Sequence, residues 1–104
     1  MKYKVVLRNE VKEDILHNSV KYASIDEKIA ESFLERLDTT IDSIEQEALG
    51  GEIIYKNIRR MLVKRFPYGL FYIVEKEKVI VMACLDLRQD PLKIKAILEG
   101  LLDD

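Results

Sequence analysis

Tyr3, Val5 and Leu7 alternate with Lys2, Lys4, Val6 and Arg8 at the start of the chain. That period of two predicts a first strand over Lys2 to Arg8. Asn9 is then placed to cap a helix, with Glu10 and Glu13 suited to its positive first turn. Val11, Ile15, Val20 and Tyr22 mark the apolar side of that helix. Ser24-Ile25-Asp26-Glu27 reads as a capping box, a Ser followed three residues later by a Glu. A long helix should follow, because Ile29, Phe33, Leu37, Ile41, Ile44 and Ala48 recur at spacings of three and four. Gly50-Gly51 should stop it.

After Gly51 the period shortens. Tyr55 to Phe66 reads as one strand, with Ile58, Arg60, Leu62, Lys64 and Phe66 on one side and Arg59, Met61, Val63 and Arg65 on the other. Pro67 cannot donate a ladder hydrogen bond, so a turn begins there, with Gly69 nearby. Leu70 to Val74 forms the next strand, and Glu75-Lys76-Glu77-Lys78 a polar hairpin loop. Val79 to Leu85 is almost wholly apolar, which predicts a central strand covered on both faces. Asp90-Pro91 starts a last helix, with Asp as cap and Pro at the first helical position. Leu92, Ala96, Ile97, Leu101 and Leu102 supply its apolar side.

The predicted order is β-α-α-β-β-β-α, an α+β fold. Short connections make the last three strands antiparallel, and the first strand must join their sheet to bury its own apolar side. The expectation is an antiparallel sheet packed by an N-terminal helical hairpin. With 104 residues, a single domain over residues 1–104 is expected.

Composition narrows the function. Hydrophobic residues make up 48% and charged residues 35%, the mix of a globular domain with one core. The N-terminal apolar run is too short for a signal-peptide core, and Val79 to Leu85 is far short of a membrane span. A cytoplasmic location with no membrane contact is therefore expected. Cys84 is the single cysteine, inside the apolar run, and reads as a buried structural thiol. Residues 1–54 carry 7 Lys+Arg against 12 Asp+Glu, whereas residues 55–95 carry 10 against 4. A basic half on a slightly acidic chain points to one positive surface that attracts nucleic acid or an acidic protein.

Arg59, Arg60, Lys64 and Arg65 concentrate that charge, and Phe66, Tyr68, Phe71 and Tyr72 follow at once. Cations neutralise phosphates and rings stack on bases, so the pairing suits nucleic acid. Both phenylalanines read as core, and at least two of the four cations as functional. His17, the one histidine, reads as a surface or helix-packing residue. No cluster has metal-ligand spacing, and no Gly-rich loop suits a phosphate. No metal or other cofactor is expected. The carboxylates of the long helix read as a solvated face.

Ile58-Arg59-Arg60-Met61-Leu62-Val63-Lys64-Arg65-Phe66-Pro67-Tyr68 resembles the central signature of RelE/ParE-family toxins. Phe71-Tyr72-Ile73-Val74-Glu75 and Val79-Ile80-Val81-Met82-Ala83 look like the paired strands that follow it. Ala83 to Pro91 occupies the place of the closing motif, often a His, two variable residues, an Arg, one more residue and Pro. Here Asp86 stands in the place of the His and Gln89 in that of the Arg, with Arg88 one place earlier.

The resemblance implies the toxin half of a type II toxin–antitoxin pair of the plasmid-stabilisation kind. The implied partner is a cognate antitoxin, in a toxin–antitoxin hetero-oligomer. ParE-like members bind and block DNA gyrase, whereas RelE-like members cut messenger RNA on the ribosome. An RNase of this type needs groups that move protons and cations that hold the phosphorane charge. The cations are present, but of the usual proton-moving groups only Tyr68 or Tyr72 is a candidate. The lean is to a ParE-like, non-enzymatic gyrase inhibitor. An mRNA endonuclease is the alternative, and a non-toxic module that only occupies an antitoxin is the third reading. Expected target- or antitoxin-binding residues are Arg59, Arg60, Lys64, Arg65, Tyr68 and Arg88.

Overall fold

The first strand, β1 (Lys4–Leu7), leads into two helices, α1 (Asn9–Ala23) and α2 (Glu27–Gln46). Four more strands follow: β2 (Glu52–Tyr55), β3 (Ile58–Leu62), β4 (Tyr68–Glu75) and β5 (Lys78–Asp86). A last helix, α3 (Pro91–Leu102), closes the chain. The computed structural model describes residues 2–103. The strands form one sheet in the order β1-β5-β4-β3-β2.

The α+β class holds, but the sheet is mixed rather than wholly antiparallel. The three hairpins are antiparallel as short connections require. β1 runs parallel to β5, with Val5 beside Val79 and Leu7 beside Val81. The expected single strand from Tyr55 to Phe66 is broken twice. Lys56, at a φ of 50°, turns the chain between β2 and β3, which adds a fifth strand. Beyond Leu62 the chain leaves the ladder and turns through Arg65, whose φ is 69°.

Local capping explains other differences. α1 begins at Asn9 itself, after Arg8 in extended conformation, without a side-chain cap. Asp26, not Ser24, caps α2, its carboxylate accepting the Lys28 N–H at 2.9 Å. The Ser24 hydroxyl instead donates to the Lys21 carbonyl and helps close α1. α2 stops at Gln46, and a short 3-10 turn, Ala48–Gly50, precedes Gly51. At α3 the expectation matches: the Asp90 carboxylate accepts the Leu92 N–H and Pro91 opens the helix.

The alternation of the strands divides the core in two. On one face Leu70, Tyr72, Val79, Val81 and Cys84 meet Val11, Phe33, Leu37 and Ile44 of the helical hairpin. On the other face Ile58, Phe71, Ile73, Met82 and Ala83 meet Ile94 and Leu98 of α3. β5 is thus covered on both sides, as its continuous apolar run demands. Three residues assigned to apolar helix faces are outside: Val20 is 60% exposed, Leu92 75%, and Ala96 is exposed as well. Tyr22, Phe33, Phe66 and Tyr68 form an aromatic cluster with ring centroids 5.2 to 6.5 Å apart. It ties the end of α1 to the turn after β3. Among the described residues, no helix is long and apolar enough to cross a membrane.

Candidate functional site

The basic strand distributes its cations by pleat, because neighbouring side chains on a strand point to opposite faces. Arg59 lies opposite Tyr72 in the β3–β4 ladder, on the face of the helical hairpin. One of its terminal nitrogens donates to the carbonyls of Leu49 at 2.9 Å and Gly51 at 2.8 Å. The Tyr72 hydroxyl donates to the carbonyl of Ala48 at 2.7 Å. The connection from α2 to β2 therefore hangs on these two side chains. Burial pushes the Tyr72 phenol up, and the nearby Arg59 guanidinium pulls it partly back. Arg59 thus serves the fold, and Tyr72 is fully buried. Tyr72 is closed to a partner, whereas Arg59 is half-buried.

Arg60 lies on the opposite face, across from Phe71. Its guanidinium meets the Glu52 carboxylate at 2.9 Å, a pair that holds the β2 edge to β3. Its aliphatic stem crosses Gly69. A Cβ at Gly69 would stand 3.1 Å from that stem and 3.3 Å from Leu87, so the glycine makes room for the arginine.

Lys64 and Arg65 sit exposed in the turn between β3 and β4. The segment after β5 packs beside that turn, where the Leu87 N–H donates to the Pro67 carbonyl at 2.7 Å. Arg88 is exposed in that segment, so Lys64, Arg65 and Arg88 gather at one end of the sheet. Asp86 holds Arg88 closely: one carboxylate oxygen accepts from its main-chain N–H and Nε, the other from a terminal nitrogen at 2.7 Å. These bonds hold the Asp86 carboxyl below the usual carboxylate range. Gln89 donates to the Asp86 carbonyl. The altered closing motif is therefore a turn satisfied within itself.

Tyr68 is buried, and burial with the neighbouring Tyr22 raises its phenol to about 12. It is a proton donor, not a base, at neutral pH. An open cleft of about 270 Å³ beside it is lined by Asp14, His17, Lys21 and Asp86 as well. Sequence reading left His17 apart from this chemistry because it lies on another element. Its helical spacing from Asp14 and Lys21, at three and four residues, was the available signal. Burial also pushes the Cys84 thiol in this wall up to about 12, so the cysteine is inert at neutral pH. Among the described residues, no group of three or more His, Cys, Asp or Glu side chains could hold a metal ion.

A helical hairpin on one face of a five-stranded mixed sheet, a terminal helix on the other and exposed cations at one end define a small α+β domain of the RelE/ParE toxin type. Residues 5–91 match the family described as ParE toxin of type II toxin-antitoxin system, parDE, and the chain belongs to that family. Among solved structures, the chain is similar to one described as the chromosomal ParDE TA system from P. aeruginosa, with a TM-score of 0.73. Identity there is 11%, over 83% of this chain and 97% of that one, so the likeness speaks for the fold. A comparison with curated proteins finds no match.

Proposed function

We propose that this chain is the toxin of a type II toxin–antitoxin pair, that it acts in the cytoplasm by binding DNA gyrase rather than by cutting RNA, and that a cognate antitoxin neutralises it. The observation that carries the non-enzymatic reading is the Asp86–Arg88 pair. Both carboxylate oxygens are engaged by the arginine, so neither is available to move a proton. Lys64, Arg65 and Arg88 remain at one end of the sheet as a cationic contact surface for an acidic region of the target. Arg60 and Tyr68 support that surface from within the sheet.

The test is a supercoiling assay with purified protein and gyrase. Inhibition is expected, and a Lys64→Ala/Arg65→Ala double variant should weaken it while leaving the fold intact. Ribosome-dependent cleavage of messenger RNA, mapped by primer extension, would overturn this reading.

One observation favours that second reading: His17 lines the same cleft as Tyr68 and Asp86. In an endonuclease the imidazole would accept a 2′-hydroxyl proton there. Loss of cleavage in His17→Ala, with an unchanged thermal midpoint, would identify it. No growth effect and no activity in either assay would leave the antitoxin-binding module.

A further inference from the structure

Arg36 is a cation on an acidic helix. Glu31, Glu35, Asp38 and Asp42 surround it in sequence, yet the positions three and four residues away hold Ser32, Phe33, Thr39 and Thr40. No carboxylate therefore stands at the spacings that bring helical side chains together. Arg36 is half-buried, and among the described residues it has no carboxylate within salt-bridge distance. A partly desolvated guanidinium without a counter-ion carries a cost that a bound anion relieves.

Arg36 lines a narrow cleft of about 100 Å³ between α2 and β3. Lys64 lines the same cleft from the β3 side, and among the described residues it too lacks a carboxylate partner. The hydroxyls of Thr39 and Ser43 stand beside them. Each donates to the carbonyl four residues back, of Glu35 and Thr39. Those carbonyls lie inside α2 and accept its main-chain bonds as well, so either hydroxyl can rotate toward a ligand without stranding an acceptor. The strand adds a main-chain donor. β2 ends opposite Arg60, while the Val63 N–H donates to the Tyr68 carbonyl. Ladder alternation then turns the Leu62 N–H to the open edge, where Leu62 lines the cleft.

We propose that this cleft binds a single phosphate group, with Arg36 and Lys64 as its cations and the Thr39 and Ser43 hydroxyls and the Leu62 N–H as its neutral donors. Donors from a helix, a strand and a turn suit a tetrahedral oxyanion, whereas a planar carboxylate is satisfied by one arginine fork. The small volume admits the phosphate and leaves anything attached to it outside. A free phosphate ion and a backbone phosphate of nucleic acid present the same chemistry. The site is independent of the toxin reading, because Arg36 is not among the cations assigned to the target.

The test titrates isotopically labelled full-length protein, in low-salt buffer free of phosphate, with inorganic phosphate and with a single-stranded DNA oligonucleotide lacking terminal phosphates. The amide signals of Leu62 and Lys64 and the Arg36 Nε–H signal should shift saturably with phosphate, and acetate at equal ionic strength should leave them still. Arg36→Gln should weaken binding at least about tenfold, the loss of a charge-assisted hydrogen bond. Lys28→Gln, which removes the same charge from an exposed position of the same helix, should leave it unchanged. Thr39→Asp, also at an exposed position, places a carboxylate three residues from Arg36 and should abolish binding even if Arg36→Gln fails a thermal melt. Tighter binding of the oligonucleotide than of phosphate, with the same response to both variants, makes a nucleic-acid backbone the source, and a response to phosphate alone makes it the free ion. An equal response to acetate, an equal loss in Lys28→Gln, or no saturable shift with either probe overturns the site. Supercoiling inhibition by the same variants is scored separately and bears on the toxin reading alone.

Discussion

Tyr72 and Gly51 contend for the same space. A Cβ on Gly51 would overlap the Tyr72 hydroxyl and stand 2.9 Å from its ring carbon Cζ. The tyrosine spans the core to reach the Ala48 carbonyl, and only a glycine lets the backbone pass beneath it. Gly51→Ala should destabilise the domain by roughly 1–3 kcal/mol, the range for overpacking a tight site. Tyr72→Phe removes the hydroxyl and leaves a buried carbonyl without its donor, at a cost of about 1–3 kcal/mol. Chemical denaturation measures both. The double variant should recover only part of the Gly51→Ala loss, because the ring carbon remains. Full recovery would mean that the hydroxyl alone obstructs.

Arg59 and its neighbours in the turn should separate cleanly. Arg59→Ala leaves the Leu49 and Gly51 carbonyls without their shared donor and should lower stability by roughly 1–3 kcal/mol. Arg65→Gly replaces a side chain held at a φ of 69° by the residue that adopts it most readily. It should keep or slightly raise stability while weakening target binding. Equal stability losses in the two variants would contradict this division between fold and contact.

Phe33 is fully buried at the centre of the aromatic cluster. Phe33→Ala should cost roughly 3–5 kcal/mol, as large core truncations do. A loss within about 0.5 kcal/mol in urea denaturation would place the residue at the surface instead.

Alkaline pH should destabilise the domain chiefly through two acids, with the buried Tyr72 phenol, also raised, adding in the same direction. The folded state holds the Cys84 thiol and the Tyr68 phenol near 12, against ordinary values of 9.0 and 10.0. Above pH 9 the unfolded chain loses these protons first, so it binds fewer protons than the folded one and stability falls as pH rises. The contribution is whole below pH 9 and is lost between pH 9 and 12. Each group adds a slope approaching about 1.4 kcal/mol per pH unit. Cys84→Ala should remove the decline between pH 9 and 10, leaving the later one. A wild-type stability curve flat to pH 11 would show that neither group is held neutral.

Asp86→His should not create ribosome-dependent RNase activity. It would release Arg88 from its carboxylate, but Gln89 would still bond the carbonyl of residue 86. Cleavage gained by this single change, in the primer-extension assay, would mean that the cleft already held every other group the reaction needs.

Long periodic segments were the legible part of the chain. The stripe through Phe33, Leu37 and Ile44 and the apolar run of β5 admit one reading each, and Asp90-Pro91 marks a helix start on chemistry alone. The break at Lys56 was hidden because its left-handed backbone is rarely adopted by lysine, and Asn57, the one turn-forming residue there, was read as part of a continuous strand. The parallel pairing of β1 was hidden for another reason, since strand direction across a long connection is a tertiary property. At the site, the cations could be found but not sorted. The pleat turns Arg59 and Arg60 to opposite faces, and only the structure shows that Arg59 meets carbonyls there while Arg60 meets Glu52. His17 escaped because its cleft neighbours Tyr68 and Asp86 are remote in sequence.

The parallel seam between β1 and β5 also orders events during synthesis. Lys4 to Leu7 leave the ribosome well before their ladder partners, Lys78 to Val81. A strand pairing of such long range waits on all the elements between, whereas the helical hairpin can form early from local contacts. An unfinished chain therefore has a free first strand and no completed sheet. Under the toxin reading, the nascent protein is harmless until its last strand arrives, which gives the cell an interval in which a partner can already be waiting.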